Sequence, residues 1–225
     1  ANFKENNMSF LKSVFGFKEE PIHSYSDFWK WFEKNEKSFY KVVKEGGNVK
    51  KFFFDRLSPK LGELRDGFWF LVGMYDDTTV ELVLTADGVI KNIVFVEELV
   101  AASPKMDNWK ITALKQPLGV EKVRIEMDGY LFDTNTMSFY ATEDKEMPDE
   151  IDITVAHEDF TEENKGIITN GVYITLDNAL GELNSVITID NLTLINPAEA
   201  TSGLVPLEKL TEFLTWREKE FVEKY

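Results

Sequence analysis

Cysteine is absent from the 225 residues, and histidine occurs only twice, at His23 and His157. The first absence removes thiolate catalysis, disulfide staples and Cys-ligated zinc. The second leaves too few imidazoles for a His-rich metal site. Serines are present, but none sits in a G-x-S-x-G elbow. The phosphate-cradling patterns G-x-G-x-x-G and G-x-x-x-x-G-K are also missing, and Gly46-Gly47 alone does not replace them. No apolar run approaches the roughly 18 residues of a membrane-spanning helix. The expectation is a chain with no metal and no cofactor.

Basic residues are the scarce charges: 25 Lys and Arg stand against 40 Asp and Glu, for a net charge of −15. The deficit is uneven. Residues 1–66 carry 13 basic against 10 acidic side chains, and residues 67–225 carry 12 against 30. The larger part would repel a phosphate backbone, which argues against nucleic acid as a partner. It fits a solvated acidic surface, or attraction to a basic protein. The densest acids run from Glu143 to Glu163, where ten carboxylates face only Lys145. The EF-hand order of acids around a central glycine is absent, so no dedicated calcium site is expected there.

What is present is an ordinary globular composition, 43% hydrophobic and 29% charged. At this length, roughly 70% of the unfolded surface can be buried without a metal or disulfide. Residues 1–20 read as a tail. The stretch from Met8 to Phe17 places Met8, Leu11 and Phe15 at helical spacing, and membrane-surface contact through it is a minor reading. Lys12 interrupts its apolar part and no small-residue cleavage site follows, so it is not read as a signal peptide. Met8 is a candidate natural initiator, with residues 1–7 an extension, and the expected location is cytoplasmic.

Residues 21–225 are expected to form a single α+β domain. A helical pair over 24–66 opens at Ser24 or Ser26 as N-cap, with Ser58-Pro59 restarting its second helix. The first sheet unit, 67–118, reads strand, strand, helix, strand. Both faces of FWFLVGMY are apolar, which predicts a strand covered on both sides. The second unit, 119–196, contains YLFDTNTMSFYA, read as a hairpin turning at Asp133 to Asn135. It continues with IDITVAH, a helix ending at Gly181, and a strand SVITIDNLTLI. A terminal helix over 205–224 carries Leu207, Leu210, Phe213, Leu214 and Phe221 on one face. The fold class is thus α+β, with a mixed or mainly antiparallel sheet built from two β-β-α-β-like units and covered by N- and C-terminal helices.

The segments FWKWFEKNEKSFY, LTADG, ELVAASPKMDNWKITALKQP and LDNALGEL together resemble a family of uncharacterised bacterial proteins. The resemblance spans most of the chain in the same order. It implies the order of elements and no activity.

Two functional readings follow. The leading one is a non-enzymatic interaction or adaptor protein that docks a basic protein partner on an acidic face, with Glu143, Asp144, Glu146, Asp149, Glu150 and Asp152 as candidate contacts. The rival is a small hydrolase in which His157, at a strand end, acts as general base oriented by Asp177 or Glu182. The balance favours the first, because no nucleophile, metal or phosphate signature accompanies the histidine.

Overall fold

The computed structural model describes residues 20–119, 123–143, 146 and 151–224. The tail segment 8–17, together with Asp144, Asp149 and Glu150, lies outside the described residues.

The chain opens with α1 (Tyr25–Lys44), whose N-cap Ser24 accepts the Asp27 N–H through its hydroxyl at 3.1 Å. A short π-helical turn (Lys50–Phe54) leads without a break into α2 (Asp55–Leu64). The expected restart at Ser58-Pro59 does not occur, and Pro59 lies inside the helix. Phe53, Leu57 and Leu61 share one buried face across that point, and their burial outweighs the single N–H bond that proline cannot make.

The first sheet contains β1 (Trp69–Met74), β2 (Val80–Thr85) and β3 (Trp109–Ala113) in that order, with α3 (Ile90–Ala101) between β2 and β3. β1 pairs antiparallel with β2, and β2 parallel with β3. Val80, Leu82 and Leu84 face inward. Above them lies a cluster of rings from α1, among them Phe28, Trp29, Phe32 and Phe39. Trp29 also donates from Nε1 to the carbonyl of Leu99 at 2.8 Å, satisfying an acceptor in the last turn of α3.

β1 departs from the reading of its sequence. It is an edge strand, and Trp69 and Leu71 are 59% and 50% exposed. Among the described residues, helices cover one face of the sheet only, and alternate apolar residues of β1 lie on the open side.

The second half begins with a small hairpin, β4 (Arg124–Met127) and β5 (Tyr130–Asp133). Asp128 and Gly129, at φ 53° and 83°, form its two-residue turn. That turn takes β5 into a pair with β4, so the expected hairpin around Asp133 to Asn135 does not form. A turn does occur there, with the Met137 N–H donating to the Asp133 carbonyl. The chain leaves it in a different, four-stranded sheet.

That sheet contains β6 (Ser138–Glu143), β7 (Ile151–Ala156), β8 (Asn191–Ile195) and the short β9 (Val205–Pro206), in the order β8-β7-β6-β9. Two helices, α4 (Lys165–Leu180) and α5 (Glu182–Thr188), connect β7 to β8, and α6 (Leu210–Lys224) closes the chain. The expected strand from 185 is therefore helical as far as Thr188, and strand begins only at Asn191. β6 is antiparallel to β7, and β7 parallel to β8. This repeats the plan of the first sheet: a hairpin, a helical crossover, and a third strand parallel to the second. The fold is α+β, built from two such units. α1 and α2 cover the first and α6 the second, and the buried apolar residues form two clusters, one per unit.

Candidate functional site

Among the described residues, the charged group buried most completely is Glu182, the first residue of α5, at 0% exposure. Gly181 precedes it at φ 82°, and a Cβ on that glycine would lie 2.9 Å from Pro117 Cδ. Only glycine allows both this left-handed dihedral and this close approach. The kink ends α4 and turns the Glu182 side chain towards the carboxyl ends of β2 and β3.

Four donors meet the carboxylate there. The Ala86 and Gly88 N–H groups reach Oε1, each at 3.0 Å. The Thr85 hydroxyl and the Lys115 N–H reach Oε2 at 2.5 and 3.2 Å. Asp87 and Gly88, at φ 50° and 76°, form the turn that brings two of these amides together. Thr85 Oγ1 in turn accepts the Asp87 N–H at 3.0 Å, which aims the hydroxyl proton at Glu182. The Glu182 N–H completes the junction by donating to the Lys115 carbonyl at 2.9 Å.

A second carboxylate sits beside the first. Asp177, on α4, lies 3.5 Å from Lys115 Nζ, and the same ammonium is 3.1 Å from Asp87. Burial pushes the Asp177 carboxyl above its ordinary value, against the pull of Lys115 and Ser185, and Glu182 adds to the rise. For Lys115, burial works to lower the pKa. The bond to Asp87 and the charges of Asp177, Asp87 and Glu182 outweigh it and hold the ammonium above its usual range. The cluster ties the first unit, through Thr85 to Gly88 and Lys115, to the second, through Asp177 and Glu182.

Asp177 gives this cluster a pH signature. A carboxyl raised in the folded state contributes stability below its unfolded pKa of about 3.9, and loses that contribution as pH climbs through the folded value. Asp177→Asn, which keeps shape and removes charge, is expected to raise the urea midpoint near pH 7 and to change it less near pH 3. Urea titrations of both proteins at the two pH values test this. An unchanged pH dependence in the variant would remove Asp177 as its source.

The structure brings Asp177 and Glu182 together, but around Lys115 and not around His157. His157 is 4% exposed. Its Nε2 lies 3.0 Å from the Leu131 carbonyl, and its Nδ1 accepts the Asp159 N–H at 3.2 Å. These partners fix the tautomer with the proton on Nε2 and occupy both nitrogens with main chain. The Phe132 ring, 5.1 Å away, closes one side. The imidazole is a structural bridge between β5 and the end of β7.

Of the acidic candidates, Glu143, Glu146 and Asp152 lie in and beside the β6–β7 hairpin, and all three are exposed. Glu143 accepts from Arg217 Nε at 3.2 Å, and Asp152 from the Asn191 amide at 2.7 Å. A cleft of about 560 Å³ lies between α5 and α6, with Leu180, Ile187 and Leu214 among its walls. Its Asn184 side chain donates to the Leu180 carbonyl at the end of α4, and Thr215 to the Thr211 carbonyl within α6. Among the described residues, no three His, Asp or Glu side chains are placed to share a metal ion, and no helix is long and apolar enough to cross a membrane.

Thr85, the Asp87-Gly88 turn and Lys115 are participants that sequence reasoning did not single out. Segments 84–88, 109–117 and 176–183 converge on this cluster. Comparison with protein-family models, with curated proteins and with solved structures finds no match to the chain.

Proposed function

We propose that this chain is a cytoplasmic, non-enzymatic interaction protein that docks a basic partner on the carboxylates around the β6–β7 hairpin. The carrying observation is the acid surplus of residues 67–225, which is densest at this hairpin, where Glu143, Glu146 and Asp152 face solvent. Such a surface speeds encounter with a basic protein and selects against acidic ones. The commitment of both His157 nitrogens to main chain also supports a binding role, and no observation favours the hydrolase reading.

The test is charge reversal. A variant with Asp149, Glu150 and Asp152 changed to Lys is expected to recover a basic partner roughly tenfold less well than the wild type in a pull-down, with wild-type recovery falling as salt screens the contact. Equal recovery by the two proteins would overturn the acidic docking face.

A further inference from the structure

We propose that the groove between α2 and the open edge of β1 binds the C-terminal end of an extended segment from another protein. The segment adds antiparallel to β1 and places its terminal carboxylate at Arg65. This goes beyond the acidic hairpin, lies in the other unit, and stands or falls separately from it.

Among the described residues β1 pairs only with β2, so the main-chain groups along its other edge have no strand partner. Edge strands are ordinarily protected by charge, proline or a bulge. β1, with the sequence WFLVGM, has no charge and no proline, and its register with β2 runs unbroken from Trp69 to Met74. Trp69 and Leu71 extend an apolar stripe along its open face. These are the features that strand addition uses: main-chain bonds for affinity, and alternate side chains for choice.

A groove of about 370 Å³ runs beside the first residues of β1. Phe54 and Phe70, edge to face at 5.3 Å, give it an apolar floor. Its helical wall is low, because Ser58 and Gly62 lie one turn apart on α2 and a Cβ built on Gly62 meets nothing within 4 Å. Arg65, Asp66 and Gly67 form the end nearest Trp69.

Arg65 supplies the chemical preference. Its guanidinium lies 3.6 Å above the Phe95 ring, and Nη2 donates to Asn92 Oδ1 at 3.3 Å. The buried Nε–H has no acceptor, and among the described residues no carboxylate forms an ion pair with this side chain. A guanidinium with unused donors matches a carboxylate in shape and charge. The neighbouring Asp66 is exposed and opposes an anion, but the groove belongs to the part of the chain where basic side chains outnumber acidic ones. Charge settles the polarity of the added segment, because a parallel one would bring its N-terminal ammonium to the Arg65 guanidinium. A segment antiparallel to β1 ends beside Trp69, and so its C-terminus falls next to Arg65.

A random heptapeptide library displayed with free C-termini, panned against the full chain, tests the assignment. Enriched peptides are expected to alternate apolar residues and to bind measurably by fluorescence anisotropy. Amidating their C-terminus, or making Arg65→Gln, should each weaken binding about tenfold or more. Arg65→Gln also disturbs the packing of α2 on α3, so Gly62→Leu is the cleaner variant. It fills the groove from an exposed helical position, should abolish binding, and should leave the unfolding midpoint unchanged or higher, because leucine is the better helix former. Amides of residues 69–74 should gain hydrogen-exchange protection when peptide binds. The proposal is overturned if no peptide is enriched, if amidated peptide binds as well as the free acid, or if Gly62→Leu leaves binding intact. It is also overturned if the chain is a dimer that Gly62→Leu converts to monomer, since a second copy would then occupy the edge.

Discussion

Glu182→Ala is expected to destabilise the protein by about 3–5 kcal/mol, the range for breaking a buried charged network by removing one partner. The loss is not that of one hydrogen bond. Truncation leaves the Ala86, Gly88 and Lys115 N–H groups and the Thr85 hydroxyl without their acceptor in a site that admits no water to Glu182 itself. It also leaves Lys115 with one carboxylate fewer and takes away the group that holds the Asp87-Gly88 turn against α5. Glu182→Gln keeps the shape but replaces one acceptor oxygen with an amide that must face donors, so an intermediate cost of about 1–3 kcal/mol is expected. Urea unfolding followed by far-ultraviolet circular dichroism measures both. Because this cluster joins units with separate apolar interiors, the alanine variant should also broaden the transition or divide it in two. An alanine variant within about 1 kcal/mol of wild type would show that solvent or neighbouring groups satisfy the donors, and that the junction is not held by this carboxylate.

The contrast between what the sequence disclosed and what it hid follows the range of the forces involved. The periodicity of 165–180, with Ile168, Val172 and Leu176 on one face, marked α4 correctly, because burying a helix face requires local spacing. The repeated hairpin-crossover-strand plan was legible for the same reason, since each unit carries its own pattern. Ile187 to Ile189 reads equally well as strand. It stays helical to Thr188 because Gly181 and Glu182 are anchored to Pro117 and Lys115, residues distant in sequence. Trp69 and Leu71 misled in the opposite direction: apolar character on both faces implied cover, and the open face of an edge strand breaks that rule. His157 and Glu182 were paired as a candidate base and its orienting carboxylate, but the fold gives each other partners, which no spacing could reveal. A buried glutamate satisfied by four donors from two segments about 67 and 96 residues away leaves no periodic trace.

Gly171→Ala sets a local preference against a distant contact, and the magnitudes decide the sign. In the interior of a helix, alanine is favoured over glycine by about 1 kcal/mol, and from sequence alone the substitution should stabilise α4. In the fold, the Phe132 ring points end-on at the glycine, so that a new Cβ would lie 2.1 Å from Cζ and 2.3 and 2.4 Å from Cε1 and Cε2. Carbon atoms rest roughly 3.5 Å or more apart, so ring or helix must move by more than an ångström. Phe132 is fully buried and packs beside His157, whose two nitrogens are themselves held, so the ring has little room to yield. Overpacking of this kind costs about 1–3 kcal/mol and occasionally more. The overlap is severe enough to place Gly171→Ala at the upper end, for a net loss of about 2 kcal/mol after the helix gain. Phe132→Leu shortens the ring that causes the overlap and by itself leaves a cavity. Combined with Gly171→Ala, the two defects should offset each other, giving a double variant more stable than the sum of the single effects predicts by about 1–3 kcal/mol. Urea midpoints of the four proteins in this cycle measure that coupling. If Gly171→Ala were instead as stable as wild type or more so, helix propensity alone would account for it, and the end-on contact between β5 and α4 would have to be abandoned.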